Sequence, residues 1–218
     1  MTFPSPAAEN LQGILTMGLE SGNLPQDPSV RFLGGGDSMA FEISSGQTRA
    51  VFPGEPNPNT ARYQTGTVAG AIRFFVSQLE TSGGAAVPIA DGPEVGSTEV
   101  RYLPPAFVEN LGCARTTAGI SLSLKAYSTP RNVTGVDLNL SPAPNTELNF
   151  TKPPETFANE FFNSWFADPN NNRYGGAFVL TIPISISDMR ALGGVSIRLR
   201  NEVGWSDSSQ IHWPCSKA

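Results

Sequence analysis

The sequence predicts an all-β fold made of two antiparallel β-sandwiches. Short apolar segments, about a dozen of them, recur at regular intervals with turn residues between them. The 22 glycines and 19 prolines are dispersed along the chain, as expected where many turns connect short strands. Only one segment, 154–166, repeats its apolar residues with a helical period. Many short strands with few helices are typical of a sandwich rather than of an α/β fold.

The clearest strand pattern lies between Tyr174 and Trp205. Apolar residues alternate with mostly polar ones on both sides of a turn at 188–194, and the pattern predicts a β-hairpin with one face in the core. The apolar face comprises Phe178, Leu180, Ile182, Ile184 and Ile186 before the turn, and Val195, Ile197, Leu199, Val203 and Trp205 after it.

The rest of the chain divides into two predicted domains after a lead-in. Residues 1–12 form an extended lead-in, 13–95 a first sandwich and 96–218 a second sandwich. Strands are predicted over 14–20, 30–33, 39–43, 48–52 and 68–79 in the first domain. In the second they are predicted over 99–103, 119–127, 133–140, 146–150 and 210–213, besides the hairpin. The loop at 53–59 holds three prolines, which cannot donate to a sheet.

One helix is predicted over 154–166, and its aromatic residues are the first candidate contact surface. Phe157, Phe161 and Trp165 share a helical stripe and should face the core. Phe162 and Phe166 lie off this stripe and are expected to be more exposed. We take Phe162 and Phe166, together with Trp165 as the last residue of the stripe, as possible partner contacts, either with a protein or, as a stacking platform, with a glycan.

Two arginines on the polar face of the 195–205 strand form the second candidate contact surface. Arg198 and Arg200 belong to a set of only 14 basic residues. They either protect a sheet edge from unspecific pairing or face an acidic partner.

The charge balance argues against two classes of partner. The net charge is −5 and no cluster of Lys and Arg occurs, so nucleic acid and anionic membranes are poor ligands. No apolar run approaches the roughly 20 residues of a membrane span, and residues 1–6 lack the features of a signal peptide. The chain is thus expected to be cytosolic, or a mature or excised part of a secreted protein.

The two cysteines, Cys113 and Cys215, bracket the second domain. Two free thiols would be ordinary in a cytosolic protein, but this placement favours a disulfide. A bond closing so long a loop would stabilise the domain by about 4–5 kcal/mol.

No catalytic, cofactor or metal site is predicted. The loop 168–172 places oxygen ligands as a calcium loop does, but Arg173 and Val179 occupy the positions that need Gly and Glu. The run 34–38 lacks the Lys and Ser/Thr of a phosphate loop. His212 is the single histidine and has no predicted nucleophile and acid beside it, so the chain is not expected to be an enzyme.

Most of residues 13–213 resemble the paired Ig-like modules at the C-terminal ends of large secreted proteins of Acidobacteria and related bacteria. The matching segments are 13–16, 30–32, 41–52 and 64–70 in the first half, and 127–134, 162–165, 174–178 and 195–201 in the second. The resemblance implies two Ig-like sandwiches and an extracellular, non-catalytic role. Such modules continue from larger proteins, whereas this chain begins at Met1, which is expected of a separate subunit or a processed fragment.

Two functions follow as hypotheses. The first is an extracellular or cell-surface structural module that self-associates or binds neighbouring protein domains, for example in a filament. The alternative is a carbohydrate-binding or adhesion module of a secreted protein.

Overall fold

The computed structural model describes residues 1–89, 94–148 and 156–212. The chain divides into two compact units, Met1–Val100 and Arg101–Ala218. We call them unit 1 and unit 2. The division falls after Val100, whereas the sequence placed it after residue 95. The reason is a strand ending at Val100, whose pairing partner lies in unit 1.

Unit 1 is built around one antiparallel sheet. Its strands are β1 (Leu11–Glu20), β2 (Val30–Phe32), β3 (Ser38–Ile43), β4 (Tyr63–Thr65), β5 (Gly70–Thr81) and β6 (Glu94–Val100). The main sheet has the order β3-β1-β5-β6, and β2 and β4 form a separate two-stranded ribbon. Alternate residues of β1 (Leu15, Met17 and Leu19) enter the core with Phe32, Phe41 and Phe52. The predicted strand at 48–52 is wrong, since Arg49 and Val51 make only isolated bridges.

Unit 2 contains two sheets and the helix. Its elements are β7 (Ala106–Phe107), β8 (Gly112–Arg115), β9 (Gly119–Tyr127), β10 (Gly135–Pro142), α1 (Thr156–Ala167), β11 (Ala177–Ser185), β12 (Leu192–Arg200) and β13 (Ser209–His212). One sheet has the order β11-β9-β7, with β8 also paired to β9, and the other has the order β10-β12-β13. Short 3₁₀ helices at Pro169–Tyr174 and Met189–Ala191 precede β11 and β12.

The predicted hairpin is wrong in its pairing, although both of its strands exist. β11 pairs with β9, and β12 pairs with β10 and β13. The 3₁₀ helix at Met189–Ala191 carries the chain from one sheet to the other. Both apolar faces still meet in one core, because they approach it from opposite sheets. Ile182 and Ile184 of β11 and Ile197 and Leu199 of β12 belong to the same buried cluster.

The fold class is therefore as predicted: an all-β chain of two Ig-like antiparallel units. The part of the chain that the structure describes contains one helix of more than two turns, α1 in unit 2. Within the described residues, no helix is long and apolar enough to span a membrane.

Candidate interaction site

Phe162 is not a surface residue, and its assignment as a partner contact is corrected. Its ring is 0% exposed. It lies at the centre of an aromatic cluster, with ring centroids 5.2 Å from Phe161 and 4.8 Å from Phe178. The face of the helix that packs against the core is therefore wider than the predicted stripe. The side chain of Phe157, also placed on that stripe, lies outside the described residues.

Phe166 and Trp165, the other two predicted aromatic contacts, are half-buried. Phe166 packs edge-on against Phe178 at 6.0 Å, so it contributes mainly to packing. Trp165 stacks on Tyr174 at 5.8 Å, with an angle of 24° between the rings. Its indole Nε1 is buried and has no hydrogen-bond partner among the described groups. Of the three aromatic candidates, Trp165 is the one that reaches the surface groove described next.

Trp165 and Tyr174 line an apolar groove on unit 2. The groove has a volume of about 300 Å³ and is lined by Val108, Lys125, Ala126, Trp165, Tyr174, Ala177, Phe178 and Val179. Val108, Val179 and Tyr174 are 59%, 52% and 41% exposed, which is unusual for large apolar side chains meeting at one place.

The outer face of the β9–β11 sheet positions these groups. Val179 of β11 lies directly opposite Lys125 of β9, and the Val108 amide donates to the Lys125 carbonyl. The sequence held one signal for this site: Val179 is the largest aliphatic residue on the outward side of β11, where its neighbours are Ala177 and Thr181.

The rim of the groove carries one charge of each sign. Lys125 Nζ lies 2.8 Å from Glu109 Oε1, and both side chains are more than half exposed. A pair this exposed adds little to stability. It does place a cation and an anion side by side next to an apolar surface.

A buried arginine holds the aromatic wall of the groove in place. Arg131 is 7% exposed and has φ +57°, a left-handed conformation that is rare outside glycine. Its guanidinium donates to the carbonyls of Gly175 and Phe166 and to Asn172 Oδ1, and it lies 5.2 Å from the Phe166 ring centroid. These bonds tie the end of α1 to the 3₁₀ helix that carries Tyr174. Nothing in the sequence singled out Arg131, which only stood within a motif of the resembled family.

The oxygen-rich loop after α1 also helps to hold the end of α1 and the 3₁₀ helix that carries Tyr174. Asp168 accepts a hydrogen bond from the Asn170 amide at 2.9 Å and caps the 3₁₀ helix. Asn171 Nδ2 donates to the Trp165 carbonyl, and Asn172 receives Arg131. Among the described residues, no group of three or more His, Cys, Asp or Glu side chains is placed to hold a metal ion.

Arg198 and Arg200 stack on Trp205, which was predicted to lie on the apolar face. Their guanidinium carbons lie 5.1 and 5.7 Å from the centroid of the Trp205 ring, which is 40% exposed. Arg198 also pairs with Asp137 across the sheet at 2.8 Å. The two arginines therefore cover an aromatic ring within unit 2, and their role as partner contacts stays a prediction.

The predicted disulfide also stays a prediction, because Cys215 lies outside the described residues. Cys113 belongs to β8, is half-buried and packs against the core of unit 2.

One carboxylate of unit 2, remote in sequence from the groove residues, has a shifted pKa. Hydrogen bonds from the Arg190 side chain and backbone amide hold the pKa of Asp188 below its ordinary value of 3.8. Asp188 also caps the short 3₁₀ helix, Met189–Ala191, that precedes β12.

Comparisons with known proteins identify no family. No protein-family profile and no curated protein sequence matches the chain. Among solved structures, it is similar to chimeric titin Z1Z2 functionalized with an exogenous peptide from decorin, at 11% identity and a TM-score of 0.26, covering 99% of this chain and 96% of that one. It is also similar to Dpr2 Ig1-Ig2, solved in complex with DIP-Theta Ig1-Ig3, at 14% identity and a TM-score of 0.31, covering 97% and 62%. At these scores the fold assignment rests on the strand order of the chain itself.

Proposed function

We propose that the chain is a non-catalytic structural module that self-associates through the groove of unit 2. The observation that carries the proposal is the meeting of three exposed apolar side chains, those of Val108, Tyr174 and Val179, with Trp165 in one groove. Contiguous apolar surface of this kind is typical of protein interfaces, and aromatic residues are enriched there.

A second copy of the chain is the partner that the charges favour. A rim with one cation and one anion is self-complementary across a two-fold axis, because Lys125 of each copy then faces Glu109 of the other. A strongly charged partner would gain less from such a rim, since it would attract one of these groups and repel the other.

The alternative, a glycan-binding module, has less support. Sugar recognition combines aromatic stacking with several hydrogen-bonding side chains around the rings. Here the lining offers three polar side-chain groups, the Lys125 ammonium, the Tyr174 hydroxyl and the buried Trp165 indole N–H, and Phe162 is buried in the core. An extracellular or cell-surface location belongs to the proposal and is supported by the cysteine placement and by the resemblance to secreted modules.

The test is a substitution that changes the groove without disturbing the sheet. Val179→Glu places a carboxylate opposite Lys125, where a cross-strand ion pair is favourable, so unit 2 should remain folded. Val203→Glu is the matched control, because Val203 is 44% exposed and does not line the groove.

The measurement is sedimentation equilibrium over a wide concentration range. The unmodified chain and Val203→Glu should associate, and Val179→Glu should weaken association at least tenfold. A chain that stays monomeric at the highest concentration, or equal association of the two variants, would contradict the proposal. Binding to a glycan array that is lost in Val179→Glu would favour the alternative.

A further inference from the structure

A second surface, on unit 1, is occupied by the chain's own first residues. The N-terminal segment, residues 1–8, runs antiparallel to the strip 45–50. Phe3 N donates to the Thr48 carbonyl at 2.7 Å, Ala50 N donates to the Met1 carbonyl at 3.2 Å, and Ala7 N donates to the Gln47 carbonyl at 2.9 Å. The strip continues to Val51, which exchanges two backbone hydrogen bonds with Glu42 of β3. Isolated bridges therefore connect the segment, through the strip, to the edge strand of the main sheet.

The segment is held by backbone groups and by a few apolar side chains. Met1, Phe3 and Ala7 pack against the core of unit 1, while Thr2 and Pro4–Pro6 are exposed. The Phe3 ring lies 6.2 Å from Phe41, which is itself 0% exposed. Pro4 and Pro6 have no amide to donate, so the pairing falls into two short stretches rather than a continuous ladder.

Release of the segment should therefore cost little free energy, but it would leave apolar side chains and backbone groups of the strip exposed. Few bonds and half-buried contacts place a segment at the low end of local stability. Once it leaves, Phe41 loses its cover and an unpaired strip is open to another strand. Any segment with the same backbone groups and the same pattern of apolar and exposed side chains can pair with the strip and cover Phe41 again.

We propose that the N-terminal segment is an exchangeable strand that docks on the strip 45–50 of a second copy. The segment of another copy makes the same backbone bonds and places its Phe3 on the same Phe41. The hinge would lie at the exposed Ala8 and Glu9, because Asn10 accepts hydrogen bonds from the Ser45 and Ser82 amides. Opening the hinge breaks the hydrogen bond from the Ser45 hydroxyl to the Ala8 carbonyl. Exchange of an identical element is a low-cost route to association. This inference deepens the proposed self-association, but it rests on a different surface and does not need the groove.

The experiment uses disulfide trapping in the full chain. Thr2 and Arg49 face each other across the segment and the strip, and the bonds on either side make them a non-hydrogen-bonded pair. In such a pair the Cα atoms lie about 4.5 Å apart, within the range that a disulfide spans. The variant Thr2→Cys is mixed with Arg49→Cys at about 1 mM, where a second copy competes with a tethered segment. After mild oxidation, peptides joined through the two introduced thiols are quantified by mass spectrometry.

Two controls test the docked arrangement within one chain and the background of random crosslinking between chains. The double variant Thr2→Cys/Arg49→Cys should form the bond within one chain, and its failure would refute the docked arrangement. Gln78→Cys, an exposed position on β5, replaces Arg49→Cys to measure random collision. The expected yield between chains is at least tenfold above this control. A yield equal to the control, with the intrachain bond intact, would overturn exchange.

Adding Val179→Glu to both chains separates the two proposals. The trapped yield should not change if exchange is independent of the groove. A loss of yield in that background would mean that the crosslink reports proximity within a groove dimer, and the exchange proposal would fail. If Val179→Glu and Val203→Glu associate equally but the interchain crosslink still forms, the groove proposal is refuted and the exchange proposal is retained.

Discussion

Replacing Arg131 should destabilise unit 2 more than any exposed substitution. The guanidinium satisfies two backbone carbonyls and one side-chain amide, and Gly175 is buried. A hydrogen bond from a charged donor contributes about 1.5–3 kcal/mol, and a buried carbonyl left without a partner costs about 1–3 kcal/mol. These contributions overlap, so Arg131→Ala is expected to lower the free energy of unfolding by about 3–5 kcal/mol.

Tryptophan fluorescence in urea measures this loss in unit 2 specifically. All three tryptophans, Trp165, Trp205 and Trp213, fall in the range 101–218. The transition can therefore be followed without a contribution from tryptophan in unit 1. The midpoint should fall and the slope should not change if the folded state stays compact.

Further variants at the same position divide the effect into its causes. Arg131→Gly should be about 1 kcal/mol less harmful than Arg131→Ala, because glycine adopts φ +57° without strain. Arg131→Lys should be intermediate, since an ammonium cannot reach three acceptors in a fixed fork. Arg190→Ala, whose side chain is 92% exposed, should lower the midpoint only slightly, because it loses no more than an exposed ion pair with Asp188. Stability of Arg131→Met equal to that of the unmodified chain would refute the reasoning, because that variant keeps the apolar stem and removes every donor.

Two further predictions concern the cysteines and the dependence of the stability of unit 2 on pH in the acid range. Thiol titration in denaturant should find no reactive thiol before reduction and two after it, whereas two at the outset would refute the Cys113–Cys215 bond. Asp188→Asn should lower the stability of unit 2 near pH 6 and lose this effect in acid. The lowered pKa of Asp188 means that its contribution is complete above the ordinary value of 3.8 and vanishes as the pH falls through the folded-state pKa. A deficit that persists in acid would refute the charge as its cause, since asparagine keeps a side-chain oxygen that can cap the 3₁₀ helix.

The alternation of side chains predicted strands well and their pairing poorly. β9 was predicted with the bounds that the structure gives it, because nine residues alternate without interruption. β11 and β12 were also predicted, but the pattern reports only which side of a strand is apolar. It cannot distinguish two strands lying side by side from two strands facing each other across a core. β7 and β8, with two and four residues, are too short to alternate detectably.

The candidate site was predictable only in part, for two physical reasons. The helical period placed Trp165 near a functional surface, but the direction in which α1 faces depends on Phe178, a residue of a later strand. Phe162 was misplaced for that reason. Arg131 was not identified because a charged residue in a turn normally points to water. Its burial depends on carbonyls that lie 35 and 44 positions along the chain.

The crossing from β11 to β12 also bears on how unit 2 folds. Tyr127 pairs with Ala177 and Gly135 pairs with Arg200, so each sheet joins strands that are distant in sequence and that interleave along the chain. Such non-local pairs require a large loop to close before any contact stabilises the structure, and domains dominated by them fold in milliseconds to seconds. No local hairpin is available between β11 and β12 to nucleate the process. During synthesis, therefore, the β10–β12 pair cannot close over the β9–β11 sheet until the chain has been made as far as Arg200.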